Sequence, residues 1–160
     1  MKNQEVTKVF RSRFSVFLIG FVLALLLPCF IPFFIHKIYQ GMYILGGVFV
    51  FILLIYSGIH YVISKDKLYL KIWFITTCSL EITNIASMKR SYYLFDIPTN
   101  TTASFKKLRL EFLRRTKYSY IHVSPIREEE FIDELKKVNP NIYVSIYNKK
   151  GIGRILDWDI

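Results

Sequence analysis

Three pairs of adjacent cations stand in the second half of the chain: Lys89-Arg90, Lys106-Lys107 and Arg114-Arg115, with Lys117 close by. Paired cations suit phosphate oxygens by charge, and arginine adds a bidentate fork. Gathered at one end of a fold, these side chains would bind an anionic lipid headgroup. Spread along strands, they would be solvated faces only. Other reactive types are sparse. His36, His60 and His122 are scattered, and neither His36 nor His60 has a carboxylate at helical spacing. Glu128, Glu129 and Glu130 read as the start of a helix, where negative charge complements the dipole, rather than as an acid and a base. Ser124 stands before Pro125 and reads as a helix cap, with Pro125 at the first helical position. No His or Lys is placed to activate it as a nucleophile. The glycines of Gly151-Ile152-Gly153 lack the Lys-Ser/Thr ending of a phosphate loop. Cys29 and Cys78 make neither a disulfide framework nor a zinc spacing. The expectation is a protein without catalysis, metal or cofactor.

The elements that would position these side chains divide into two kinds. Residues 14–35 carry no charged side chain, and after His36 and Lys37 neither do residues 38–63. As helix, the first run would be roughly 33 Å long, enough for a hydrocarbon core of about 30 Å. Residues 14–63 therefore read as a two-helix transmembrane hairpin. The net charge of +10 is unevenly placed. Lys2, Lys8, Arg11 and Arg13 precede the first span, and Lys65, Lys67 and Lys71 follow the second. Positive flanks mark the cytoplasmic side, so both termini are expected inside a cell membrane, with residues 36–41 outside. Residues 1–13 read as a basic arm, open to helical extension of the first span. A signal peptide fits poorly, because the apolar run is long and no A-x-A site follows. Leu26-Leu27-Pro28-Cys29 lacks the small residue that a lipoprotein site needs before its cysteine. Pro28 and Pro32 would kink the first span. Gly20 and Ala24 fall at about the depth of Ser57 and Gly58, which suits close helix packing within the hairpin or along a dimer seam. Tyr39, Tyr43, Tyr56 and Tyr61 fall near the expected interfaces.

Residues 64–143 suffice for one small domain. Leu68, Leu70 and Ile72 alternate with Lys67, Tyr69 and Lys71, and Leu108, Leu110 and Phe112 alternate with Lys107, Arg109 and Glu111. Ile121 and Val123 continue the alternation, all as half-buried strands. Further strands are expected over residues 74–82 and 86–93, with Ile82 and Ile85 closing the core between them. Trp73 and Phe74, on opposite faces of a strand, would send one ring into that core. The period then changes. Phe131, Leu135 and Val138 follow helical spacing, Lys136 and Lys137 occupy the last turn, and Asn139-Pro140 stops the helix. Residues 144–160 read as a tail of undetermined conformation.

Tyr61-Val62-Ile63 with Leu68 and Leu70, Ile82-x-x-Ile85, Ala103-Ser104-x-x-x-Leu108, Val123-Ser124-Pro125, Phe131-x-x-x-Leu135 and Asn139-Pro140 together resemble the bacterial pleckstrin-homology-like family, in its small membrane-anchored form with two spans. The resemblance implies a bent antiparallel sheet, or partly open barrel, capped by a C-terminal helix. It implies no reaction. Eukaryotic relatives hold phosphoinositides in a long loop between their first two strands, whereas Ser64–Lys67 is a tight turn. The chain thus reads as a membrane-anchored binding or scaffold module for a protein partner, a second copy of itself or anionic lipid. A stress or bacteriocin self-immunity protein is the alternative that the resemblance brings. Nucleic acid is not expected as a partner of a domain held at a bilayer, and spans so poor in polar groups do not suit a channel.

Overall fold

In the computed structural model, which describes residues 7–91, 102, 104, 106–114 and 119–146 (backbone alone at 17 and 18), the first strand forms before the apolar runs begin. Strand β1 (Lys8–Arg11) precedes helices α1 (Val16–Ile35) and α2 (Tyr39–Ser57). Then come β2 (Ile59–Ser64), β3 (Lys67–Ile72) and β4 (Ile75–Glu81), and a 3-10 turn over Ile82–Asn84. The order continues with β5 (Ile85–Ser91), β6 (Lys107–Phe112), β7 (Tyr120–Val123), α3 (Glu128–Val138) and β8 (Tyr143–Ser145). One sheet has the order β1-β2-β3-β4, and the other β7-β6-β5-β8. All pairings are antiparallel except β5 with β8.

The inner faces of the two sheets share a core. Leu68, Leu70 and Leu80 come from the first, and Met88, Leu108, Leu110 and Ile121 from the second. Helix α3 closes it with Phe131, Ile132 and Leu135. Ile82 and Ile85 are buried where the chain passes from one sheet to the other, as their spacing indicates. Asn139 ends α3 and ties it to that turn: its buried side-chain amide donates to the carbonyls of Ile82 and Ile85 at 3.1 and 3.2 Å. A buried amide needs such partners, because leaving it unsatisfied costs about 1–3 kcal/mol.

The basic arm expected over residues 1–13 is, from Lys8 to Arg11, the edge strand of the first sheet. Phe10 explains this. Its ring meets Phe131 edge-on at 5.2 Å and is buried in the common core. A single buried residue in a four-residue strand leaves no periodicity to read. The hairpin of α1 and α2 is consequently inserted between two paired strands, rather than hung in front of the domain. The pairing Arg11↔His60 brings the roots of both helices to one edge of the sheet. The other sequence boundary moves too, since β2 begins at Ile59, inside the run 14–63.

The same strand corrects the reading of Ser124 and Pro125. They are not the start of α3, whose N-cap is Arg127. Pro125 bridges to Ser12, the Arg13 N–H donates to the Ser124 carbonyl, and the Ile126 N–H donates to the Arg11 carbonyl. The edges β1 and β7 are thus stitched together, joining the two sheets on the side opposite the β4–β5 turn. Tyr61 belongs to this seam and not to an interfacial belt. It is fully buried, its hydroxyl donates to Ser12 Oγ at 3.2 Å and accepts the Ser124 N–H at 3.0 Å, and the two serine hydroxyls are 2.9 Å apart. Burial pushes the Tyr61 hydroxyl above its ordinary pKa, against the smaller opposing effect of its serine hydrogen bonds.

Trp73 and Phe74 also depart from expectation. Neither enters the core; they form the two-residue turn between β3 and β4, with Ile72 paired to Ile75. The tail expected from residue 144 starts inside the short parallel strand β8 (Tyr143–Ser145), and residues 147–160 lie outside the described residues. The hairpin is antiparallel: near the domain Ile19 and Val22 of α1 face Ile52 and Tyr56 of α2 across a narrow groove, and at the far end Phe33 lies against Gly41. A Cβ at Gly41 would sit 2.5 Å from the Phe33 ring, so any larger residue there has to displace that ring.

Candidate functional site

The structure distributes the basic residues that sequence put together over several places and brings two of them, Arg90 and Lys106, into one cleft. Lys89 and Arg90 are consecutive in β5 and point to opposite faces, as strand geometry demands. Lys89 lies on the outer face and binds the Glu111 carboxylate at 2.7 Å. Ser87 donates to the same carboxylate at 2.6 Å, and Arg109 Nε is 3.3 Å from its other oxygen. The Lys89 hydrogen bond first, and then that of Ser87, hold the Glu111 pKa below the usual carboxylate value. Arg109 in turn lies over the Tyr120 ring, 3.9 Å from its centre. Arg90 points the other way, with its side chain 7% exposed, and forms an ion pair with Glu128 at the start of α3.

Lys106 and Lys107 open β6 at the same end of the second sheet, where Lys107 pairs with Ser91. Lys107 is only 4% exposed and cannot present its charge broadly. Arg114 lies beyond the far end of β6, where its N–H donates to the Asn84 side chain at 3.0 Å. It borders a separate hollow with Glu81 and Thr83. Arg115 and Lys117 fall outside the described residues. Of the residues expected to pack the helices, Ser57 and Gly58 make other contacts. A Cβ on Gly20 would meet nothing within 4 Å, and a Cβ on Gly58 would collide with the Trp73 indole rather than with α1. The Ser57 hydroxyl donates to the Leu54 carbonyl within its own helix, and Ala24 is exposed.

What the fold does assemble is a cleft of about 540 Å³ at the N-terminal end of α3. Arg90 and Lys106 meet there with Arg13 and Arg127, which sequence reasoning did not select, opposite Glu128, Glu129 and Glu130. Arg13 stands just before α1, so the cleft lies beside the root of the hairpin. Its guanidinium donates to the Ile126 carbonyl at 3.1 Å. Arg127 pairs with Glu130 at 2.9 Å, and its guanidinium also lies 5.3 Å from the centre of the Phe10 ring. Arg127 was legible as an i,i+3 partner of Glu130. Arg13 was legible only as part of the charge flank.

The cleft mixes both signs, with carboxylates already set against guanidinium groups. Such a surface suits polar or zwitterionic contact at its rim more than an enclosed single anion. Among the described residues no group of three His, Cys, Asp or Glu side chains converges as metal ligands would.

Among solved structures, one described as "Structure of the Spt16D Pob3N heterodimer" is similar at 12% identity and a TM-score of 0.37. The likeness covers 58% of this chain and 49% of that one, so the chain spans about half of its length. No curated protein matches the chain. A family model described as "Bacterial PH domain" matches residues 59–139. The match starts at the first residue of β2 and ends at the residue that stops α3, so β1 and the hairpin lie outside it. Sheets, capping helix and this match agree: the chain belongs to the bacterial PH domain family.

Proposed function

We propose that this protein is a membrane-anchored, non-catalytic binding module that holds its PH domain against the cytoplasmic face of a cell membrane. The observation that carries the reading is the insertion of two apolar helices between paired strands. With Arg11 opposite His60, both helix roots leave from one edge of the domain, which a hairpin crossing and recrossing a bilayer requires. Helix α2 is long and apolar enough to cross, and α1 runs without a charged residue from Val16 to Ile35. Phe21, Leu25, Ile31, Ile44, Val48 and Phe51 are exposed on the pair. Full burial of such a side chain is worth up to about 1.5–3 kcal/mol, and the roughly half or more of each that is exposed forgoes its share in water, so an apolar surrounding fits them better. The positive flanks then set the termini inside.

In this reading the mixed-charge cleft beside Arg13 and the outer face around Lys89 are contact surfaces for a protein partner, a second copy or anionic headgroups. Cross-linking of the full chain in native membranes tests the proposal. A defined oligomer or a reproducible partner is the expected product. A chain that remains monomeric, captures no partner and shows no preference between neutral vesicles and vesicles containing anionic lipid would contradict it.

A further inference from the structure

The turn between β3 and β4 carries residues that such turns ordinarily exclude. Two-residue hairpin loops favour Asn-Gly or similar pairs, because the backbone must enter the left-handed region. Here the pair is Trp73-Phe74, and Trp73 has φ of 57°. For a bulky residue that conformation costs roughly 1–2 kcal/mol. The side chains are moreover 52% and 88% exposed, and Ile75 beside them is exposed as well. A loop that combines backbone strain with exposed aromatic surface is poorly suited to water.

Its surroundings say what suits it. The Trp73 N–H donates to the Gly58 carbonyl at 2.8 Å, and the indole Nε1–H donates to the Leu54 carbonyl at 3.0 Å. Gly58 is open enough to admit the ring, since any Cβ there would strike it. The turn is thus clamped to the last turn of α2. Leu54 is three residues inside the end of that helix, or about 5 Å along its axis. Two residues back from Trp73, Arg11 and Lys71 flank His60 in a row across three strands. An apolar tip level with the end of an apolar helix, with the cations Arg11 and Lys71 behind it, matches the layering of a membrane interface. Indole belongs at headgroup level there, and apolar side chains reach about 5–10 Å into the boundary.

We infer that the Trp73-Phe74 turn is a third membrane contact of this protein, inserted into the interfacial layer of the bilayer beside α2. It sets the tilt of the domain on its hairpin. The inference rests on the membrane reading proposed above and adds to it the occupant of this exposed patch.

Tryptophan fluorescence with depth-resolved quenching tests it on the full chain in vesicles. Trp158, the other tryptophan, is replaced by Phe so that Trp73 reports alone. Lipids brominated at shallow acyl positions should quench it more than lipids brominated deeply, and aqueous acrylamide should quench it little. Phe74→Asp, at an exposed position, should lessen the bromolipid quenching and shift the emission to the red. A second protein with Trp73 and Trp158 both replaced by Phe, and with Phe51→Trp in mid-α2, reports on the hairpin itself. If the indole introduced by Phe51→Trp is quenched by deep bromines while Trp73 answers only to acrylamide, the inference is overturned and the hairpin stands. If neither answers to bromolipid, the membrane reading fails and the inference falls with it. If Trp73 is shielded from both quenchers, a protein surface covers the tip, and the bilayer is the wrong occupant.

Discussion

Tyr61 does at the level of a single side chain what the sequence assigns to no residue. Its hydroxyl satisfies the buried backbone N–H of Ser124, just past β7, and bonds Ser12, just past β1, so one phenol on β2 ties together the ends of both strands. Tyr61→Phe leaves the Ser124 N–H buried without that acceptor. A loss of about 1–3 kcal/mol is expected, read as a fall in the unfolding midpoint of the reconstituted protein. A change within error would mean that the seam is held by backbone bonds alone. Arg90 and Lys89 carry a related lesson. Their adjacency suggests one cationic site, yet the two-residue period of a strand already sends neighbours to opposite faces. That signal is present in the sequence. The partners that neutralise them, Glu128 and Glu111, are not, because both contacts are long-range.

At the scale of elements, the alternating strands were legible: Leu68 with Leu70 and Leu108 with Leu110 are buried, and so are Ile121 and Val123, although His122 between them is buried too, so β7 is not the half-buried strand expected. Helix α3 was legible as well, with Phe131 and Leu135 one turn apart on its buried side. Strand β1 was not, since Val9 is exposed, only Phe10 is buried and an apolar run follows at once. Ser124-Pro125 has the composition of a cap and serves as a seam, because the strand that pairs with it lies more than a hundred residues earlier.

Two predictions belong to this scale. Removal of residues 1–13 takes away Phe10 and uncovers the edge of β2. A fragment limited to residues 64–143, which also lacks β2, should show no cooperative unfolding. Residues 7–14 joined by a short linker to residues 58–146 should unfold cooperatively. Residues 58–146 alone keep β2 and β8 and lack only β1 of the strands; if they unfold as cooperatively and at the same midpoint as the joined protein, β1 is no part of the domain. The second concerns pH. Lys137 first, and then Lys8, hold the Glu134 pKa below the usual carboxylate value through hydrogen bonds, and the Lys8 bond at 2.8 Å ties β1 to α3. A carboxyl group whose pKa is lowered by folding stabilises the fold fully above its unfolded pKa, about 4.3 for Glu. That contribution is lost as pH falls through the folded value. The melting temperature should therefore drop as pH is lowered below about 4.3, and Glu134→Gln should reduce the drop. The same drop in the variant would remove this pair from the acid response.

The whole molecule is a small sheet-rich domain interrupted, near its beginning, by an apolar hairpin. The interruption matters for function because a domain joined to a hairpin through two adjacent strands turns with it. A single linker would leave the domain free to rotate, whereas β1 and β2 fix which end of the domain faces the hairpin. That end holds Arg13, beside the mixed-charge cleft, and the Trp73-Phe74 turn, and the Ser64–Lys67 end is the opposite one; in the proposed membrane arrangement the former would lie toward the bilayer. In that proposed arrangement the Ser64–Lys67 end and the outer face of the second sheet would stay open to partners on the side of the termini, and the cleft would be reached at its rim beside the hairpin.

Side-specific labelling of engineered cysteines tests this arrangement most directly. With Cys29 and Cys78 replaced by Ser, one cysteine is placed at Gln40, beside the turn of the hairpin, and in a second protein at Asp66, at the distal end of the domain. In intact cells a membrane-impermeant maleimide should label position 40, and position 66 should react only after permeabilisation. Labelling of both positions from the same side would contradict the account, because the hairpin would then not cross the membrane between them.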